Sequence, residues 1–441
     1  MRDPAGHLQP QGDDQLLRRL STPAESLPFL MSARAQQLVE QNRLVAFEML
    51  DSDTMLVPRI PFVTAPFEWC DAQLRDAAAL TLDIAEAAWV EGYELKDASA
   101  WNVLFQGTRP VFCDHLSFRP IRRRQWWAFG QFLRHFSFPL AVAQATGLPA
   151  ARLFRMSRDG LAAHEARELL GVRRFGTRIW PMLRSSSQIA APLTPPSEAV
   201  QRSQTDTPFH PHVYRYARWS LASGKPAKPS AGPWLDYTTS RRHYSAESLG
   251  AKSATVTQWL QATRPSWVLD IGANTGEFSR LAASLGSQVI SLEQDEDCVS
   301  KLYQCAEGTA SIYPVLSNLA DLCGGGGWLG TEHPGLYDRL KNQAQMVMAL
   351  AVIHHLAISE SIPLDRIVDF VAEVSTEHAI IEFIPEHDPM VQRLSAQRER
   401  SALDFSLNAQ RAAFGRRFEV LDSRQLEDTG RSLVLMRRIP R

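Results

Sequence analysis

Cysteine is scarce in this 441-residue chain: Cys70, Cys113, Cys298, Cys305 and Cys323 are scattered, and no two form a CxxC pair. Disulfide scaffolds and zinc ribbons need closely paired cysteines, so both are excluded, and a reducing compartment, the cytoplasm, is expected. A charge excess is also missing. Lys+Arg number 47 against 48 Asp+Glu, a formal net charge of -1, where a dedicated nucleic-acid binder would be strongly basic. Long apolar runs are absent too. The most apolar stretch, Gln345–Ile358, is too short for a membrane span and carries His354 and His355. The polar start, MRDPAGHLQPQGDDQ, shows no signal peptide, and no solenoid-length repeat recurs. No HExxH or similar ligand spacing occurs, so no metal is expected.

What is present is ordinary globular composition, 44% hydrophobic and 22% charged, which is enough to build real cores. The length predicts two or three domains. Three regions separate by composition: residues 1–175, mixed α and β; 176–233, a Ser/Pro-rich stretch reading as linker with one aromatic patch, Tyr214–Trp219; and 234–441, alternating strand and helix patterns.

The last region carries the clearest chemistry. Trp267–Ile271 (WVLDI) is a short apolar run holding one carboxylate, as in a strand buried on both faces. Gly272-Ala273-Asn274-Thr275-Gly276 follows at once. Phe278, Leu281, Ala282 and Leu285 then fall on one helical face, ended by Gly286. The next apolar run, Gln288–Glu293, ends in a carboxylate 23 residues beyond Asp270. An acid at the tip of the second strand is placed to accept hydrogen bonds from ribose hydroxyls. GANTG is not GxGxxG, which disfavours a dinucleotide pyrophosphate, and GxxxxGK[ST] is absent, so no P-loop is present.

VLDIGANTGEFS resembles motif I of class I S-adenosylmethionine (SAM)-dependent methyltransferases, and SLEQDED resembles their motif II. Further strands fit at Ala310–Asn318, Gln345–Val352, His378–Ile384, Phe418–Leu421 and Ser432–Met436, with a helix over Pro363–Ser375. The combination VIHHLAIS, IIEFIPEHDPMV and RSLVLM is similar to a bacterial subgroup that includes nodulation-type methyltransferases, loosely named after the ribosomal-protein L11 enzyme. The resemblance implies an α/β fold. Its seven-stranded, doubly wound, Rossmann-like sheet would end in an antiparallel hairpin and follow an α+β accessory domain.

The resemblance also implies S-adenosyl-L-methionine as cofactor and an unidentified methyl acceptor: a small molecule, a saccharide or a protein side chain. Asp270 would hold the methionine amino group. Gly272 and Gly276, with Asn274 between them, would let backbone approach the cofactor. Glu293 would take the ribose diol. Asn318 stands where the family often has an acid facing the adenine amine, and its side-chain oxygen can accept the same bond. A hydroxyl or protonated-amine acceptor must lose a proton, which makes His354 or His355, after the fourth strand, the candidate base. Glu382, Glu386 and Asp388, around the end of the fifth strand, are candidates for the acceptor pocket. A non-catalytic module that binds SAM or docks a partner is the competing class.

In the first region, Asp71–Gly92 reads as an amphipathic helix capped by Asp71, with Leu74, Ala78, Leu82, Ala85 and Trp89 inward. Asp97, Asn102 and, after a short hairpin, Asp114 follow. This order resembles the catalytic loop and metal-binding aspartate of the protein-kinase-like fold, in a degenerate C-lobe. No HRD motif, glycine-rich loop or lysine precedes Lys96, so a working phosphotransferase is the minor alternative. Trp126, Trp127, Phe129, Phe132, Phe136 and Phe138 are expected in its core.

Overall fold

The apolar runs of the second half assemble into one seven-stranded sheet whose strand order explains where a ligand can bind. The computed structural model describes residues 6–20, 25–123, 125–184, 210–221, 246–399, 402–427 and 429–440. It comprises two compact units, Met1–Ser230 and Ala231–Arg441.

In the first unit, Gly6–Gln11 (β1), Gln15–Leu20 (β2), Glu48–Met49 (β3) and Thr54–Pro58 (β4) form an antiparallel sheet in the order β1-β2-β4-β3. Tyr93–Leu95 (β5) pairs with Phe118–Pro120 (β8), and Val103–Gln106 (β6) with Arg109–Phe112 (β7). The Asp71–Val90 helix buries Leu74, Ala78, Leu82 and Ala85, as its periodicity requires, whereas Trp89 is half-buried. Its cap is not Asp71. Cys70 occupies that position and donates its backbone N–H to Gln73 Oε1 at 3.0 Å. Asp71 instead accepts from the Ala150 N–H at 2.9 Å, tying the helix to a later segment.

Two further expectations are corrected here. The stretch read as linker contains helices at Trp180–Arg184 and His210–Leu221; 185–209 and 222–245 lie outside the described residues. The second helix buries His210, Tyr214, Ala217 and Ser220, which recur at three or four residues and so share one face. Arg218 bonds both oxygens of Glu86, at 3.0 and 2.9 Å, and also Asp83; His210 Nε2 lies 3.3 Å from Glu94. A Ser/Pro-rich composition masked these docking residues. The aromatic group is not all core either. Trp126, Phe132, Phe136 and Phe138 are buried, Phe129 is half-buried, and Trp127 is exposed, with the Arg123 guanidinium 4.3 Å from its ring centre.

In the second unit the strands are Trp267–Ile271 (β9), Gln288–Glu293 (β10), Ile312–Leu316 (β11), Ala344–Ala349 (β12), Ser375–Phe383 (β13), Phe418–Gln425 (β14) and Ser432–Arg438 (β15). Their order is β11-β10-β9-β12-β13-β15-β14. β9 through β13 run parallel, and β15 is antiparallel to both β13 and β14. The chain builds outward from β9 to β11, then returns to place β12 on the other side of β9. That reversal leaves a crevice at the carboxyl ends of β9 and β12, where helices depart to opposite faces. On one face Val256, Trp259 and Leu260 of the Ala246–Thr263 helix pack with Val268, Met346, Met348, Ile380 and Leu435. The continuous apolar strands reflect helices covering both faces of the sheet.

Candidate functional site

A cavity of about 1220 Å³, counting its open mouth, lies at this switch point. Asp270, Gly272, Ala273, Asn274 and Thr275 line it from the β9 side, Glu293 and Gln294 from β10, and Ser317 and Asn318 from β11. Leu350, Ala351, Val352 and His355 line it from beyond β12, and Lys252 from the Ala246–Thr263 helix.

The turn after β9 is built from left-handed residues. Gly272, Asn274 and Gly276 have φ of 70°, 50° and 78°. Glycine takes this conformation freely and asparagine tolerates it, which explains the GxNxG pattern. The two glycines differ in role. A Cβ on Gly272 would come within 3.0 Å of Val352 Cγ2, both residues lining the cavity. A Cβ on Gly276 would lie 2.7 Å from Leu302 Cγ, in the layer behind the turn, and Gly276 is not on the cavity wall. Its bare backbone makes room for a helix rather than a ligand.

The amide groups of this turn are all engaged internally. Gly272 N and Ala273 N both donate to the Leu292 carbonyl, and Gly276 N donates to the Ala273 carbonyl. Asn274 N donates to Glu293 Oε2 at 2.9 Å, and Thr275 N to Asn274 Oδ1 at 2.7 Å. Asn274 therefore contributes shape and a tie to Glu293. A turn with its amides so occupied has no nest for a phosphate.

Asp270 and Glu293 are the cavity's buried acids. Asp270 is 3% exposed, and its Oδ2 accepts from Ser279 Oγ at 2.6 Å, which itself accepts from Ser291 Oγ at 2.9 Å. Burial pushes Asp270 up to about 6, against the Ser279 bond, and the Glu293 charge adds to the rise. Glu293 Oε1 accepts from Gln294 N and Asp295 N at 2.7 and 3.0 Å. Burial raises its pKa despite these backbone bonds. Both carboxyls are costly to ionise where they stand, a pattern that a bound cation or hydroxyl donor relieves.

On the β11 side, Asn318 lines the cavity while its Oδ1 caps a short turn, accepting from Ala320 N at 2.9 Å. Ser317, which sequence reasoning passed over, is 3% exposed, and its hydroxyl is buried with no hydrogen-bond partner among the described residues. Its position next to Asn318 was visible, but a serine inside an apolar run gives no signal of its own.

The two histidines separate. After β12 the chain turns through Ala351, a non-glycine residue at φ 57°, a conformation of the kind that persists where surrounding packing enforces it. His355 then lines the cavity; His354 is buried at 2% exposure and is off the wall, the two rings 4.0 Å apart. Burial, then the Arg431 charge, lowers His355 to about 4, so it is neutral near pH 7 and able to accept a proton. Burial, with the neighbouring His355 and Arg431 charges, holds His354 well below the usual imidazole range.

The three acids expected in an acceptor pocket lie elsewhere. Glu382 is fully buried, bonded by Lys252 Nζ at 2.6 Å and facing Arg431 Nη1 at 3.4 Å. Asp388 accepts from Arg431 Nε at 2.8 Å and caps the Pro389–Gln397 helix through Met390 N at 2.8 Å. Glu386 bonds the Leu407 N–H at 3.4 Å, and none of the three lines the cavity. For Glu382 and Asp388 the physical reason is their buried cations, Arg431 and Lys252, to which buried carboxylates turn; Glu386 is held by a backbone amide instead.

In the first unit, Asp97 accepts from Ser99 N at 2.9 Å. Its pKa is raised by burial and by the Asp114 charge, and Asn102 lies within its electrostatic surroundings. Asp114 is paired with Arg18 at 3.2 Å. Among the described residues no group of three His, Cys, Asp or Glu is arranged to hold a metal ion. Also among them, no helix is long and apolar enough to cross a membrane.

No family model matches the chain. Nodulation protein NoeA of Rhizobium meliloti (strain 1021) is 27% identical over 461 aligned positions, covering 99% of this chain and 95% of NoeA. Similar solved structures include the magnesium protoporphyrin IX methyltransferase ChlM of Synechocystis PCC 6803 with bound SAH. It is 16% identical, covers 48% of this chain and 100% of ChlM, and has a TM-score of 0.33. The N-methyltransferase NodS of Bradyrhizobium japonicum WM9 is 9% identical, covers 44% of this chain and 98% of NodS, and also scores 0.33.

Proposed function

We propose that the chain is a SAM-dependent methyltransferase of class I architecture, with its cofactor in the β9/β12 crevice. One observation carries the reading: a cavity at the switch point whose buried acids, Asp270 and Glu293, flank a turn with no amide left for phosphate. A dinucleotide or nucleoside phosphate fits poorly. The helix that would receive its phosphate starts with Glu277, a carboxylate on the cavity wall. A cationic nucleoside fits, with its ammonium at Asp270, its ribose diol at Glu293 and its base beside Ser317 and Asn318. The orphaned Ser317 hydroxyl is a buried polar group that such a base can satisfy.

Bound SAM supplies a methyl group already activated by a sulfonium. The chain's residues then have two tasks. Orientation of the acceptor falls to the β12 side, Leu350 to Leu356, where holding reactants in line contributes as much as roughly 7–11 kcal/mol in well-aligned cases. Removal of the acceptor's proton falls to His355, the histidine on the wall. The acceptor class stays open among small molecule, saccharide and protein side chain. The first unit, with Arg18 seated on Asp114, is proposed as an accessory module without phosphotransfer.

Calorimetry tests the assignment. The purified chain is expected to bind SAM and its demethylated product, and Glu293→Ala to weaken both about tenfold, roughly 1.4 kcal/mol. No binding, or unchanged binding in the variant, defeats the reading. His355→Ala is expected to leave SAM affinity within a few-fold while lowering labelled-methyl incorporation into native-host lysate about tenfold. That is below the usual general-base range of roughly 10²–10⁴, because a histidine near 4 is a weak base. Parallel loss of affinity and incorporation makes His355 structural.

A further inference from the structure

Charge is spread unevenly over the cavity wall. Asp270, Glu277, Glu293 and Glu360 line it, against a single Lys or Arg among the described lining residues, Lys252. Lys252 is already matched by Glu382, off the wall, at 2.6 Å. A SAM molecule, with its sulfonium, ammonium and carboxylate, carries one net positive charge and offsets one of these acids. The wall around it stays negative.

Part of that excess shares a turn with His355. After β12 the chain makes a π turn, His355–Ser359, closed by the Glu360 N–H, which donates to the His355 carbonyl at 3.0 Å. Such wide turns are rare and frequent at functional sites. Ala351 and Ser361, non-glycine residues with φ of 57° and 59°, bound the segment. His355 and Glu360 both reach the cavity. Glu360 is exposed, which puts it at the mouth, and its carboxylate has no ion pair among the described residues.

These two groups match one kind of nucleophile. An amine arrives near pH 7 as an ammonium, which an unpaired carboxylate attracts; a neutral hydroxyl gains nothing from that charge, and an acceptor bearing a carboxylate or phosphate is repelled. The proton to be lost differs as well. An alkylammonium titrates near about 10.4, as lysine does, and water, the nearest model of an alcohol, near about 15.7. An imidazole lowered to about 4 therefore faces a far smaller gap with an amine than with a hydroxyl.

We propose that the methyl acceptor is an amine, held as its ammonium by Glu360 and deprotonated at His355. The proposal rests on the SAM reading above and names the reacting group, whichever carrier bears it. The imidazole accepts one N–H proton and passes it to water at the mouth. The freed nitrogen lone pair forms the bond to the methyl carbon while the carbon–sulfur bond breaks, its electron pair staying on sulfur, and the product is the N-methylated ammonium.

The test uses the full chain, SAM labelled in its methyl group and heat-treated native-host lysate, read above a blank without the chain. One portion of lysate is first treated with an N-hydroxysuccinimide acetate, which acetylates amines. Capping is expected to remove most of the incorporation, and label from untreated lysate is expected to survive mild alkali, which releases ester methyl as methanol. Incorporation that survives capping, or label released as methanol, overturns the amine. Glu360→Gln, at an exposed position, is expected to lower incorporation about tenfold at limiting lysate and to recover when lysate is raised about tenfold, with SAM affinity within about twofold of wild type. Wild-type incorporation in this variant, or a loss that added lysate does not recover, overturns the role of Glu360. SAM binding without any incorporation defeats the acceptor proposal and leaves the cofactor site standing. Failure to bind SAM defeats the reading beneath it.

Discussion

Replacing Arg431 with methionine is expected to destabilise the second unit by about 3–5 kcal/mol, the usual cost of stranding one side of a buried ion pair. Arg431 is 1% exposed and sits between Asp388 at 2.8 Å and Glu382 at 3.4 Å, both themselves buried. Removing the guanidinium takes a charged partner from two carboxylates held away from water, while the Lys252–Glu382 pair remains. Against a typical domain stability of roughly 5–15 kcal/mol, that loss takes a large share. Urea unfolding followed by far-UV circular dichroism reads it as a lowered midpoint. Arg431→Lys keeps the charge but loses the fork that serves two carboxylates, and should fall between. Arg437→Met is the control, because the Arg437–Glu419 pair is exposed and should leave the midpoint close to wild type. A wild-type midpoint for Arg431→Met would show that the cluster holds nothing together.

Asp270→Ala is expected to lower SAM affinity about a hundredfold, roughly 2.7 kcal/mol. A hydrogen bond to a charged group is worth roughly 1.5–3 kcal/mol, and this one forms where water is excluded. The same carboxyl predicts a pH dependence. It titrates near 6 in the free protein, so it is mostly ionised at pH 7 and mostly protonated at pH 5. Because binding a cation needs the carboxylate, SAM affinity should decline below pH 6, approaching about tenfold per pH unit. Folding responds with the opposite sign. The carboxyl is raised from 3.8, so between roughly pH 6 and 4 the native state holds a proton that the unfolded chain releases. Acidification over that window favours the fold at this site while opposing the ligand. Calorimetry at pH 5, 6 and 7, with circular dichroism at each, separates the two. A flat affinity profile, or wild-type affinity in Asp270→Ala, would remove Asp270 from the ligand site.

The legible parts of this protein are those that local chemistry encodes. WVLDI and QVISLE become β9 and β10 because buried parallel strands are apolar throughout. GANTG becomes a turn because three of its positions need left-handed backbone. Pro363–Ser375, expected as a helix, is one over Leu364–Val374, with Ile367, Val371 and Val374 inward. The roles of Glu382, Glu386 and Asp388 were not legible. Their position after an apolar run suggested a pocket, but what decides the role of a carboxylate is its partner. Arg431 lies 43 residues from Asp388 and 49 from Glu382, and Lys252 lies 130 from Glu382. No periodicity links such positions.

His354 and His355 show the same limit at the shortest range. Adjacent in sequence, they offer identical chemistry, and only the turn through Ala351 places one on the cavity wall and the other beneath it. By itself the sequence determined the order of strands and helices, the bend after β9 and the two acids that flank it, because each depends on neighbours a few residues away. The tertiary structure alone decided which lysine lines the cavity with those acids, which histidine meets it and which carboxylates are neutralised by Arg431. Those outcomes depend on distances between segments remote in the chain, and such distances exist only once the sheet has closed its core.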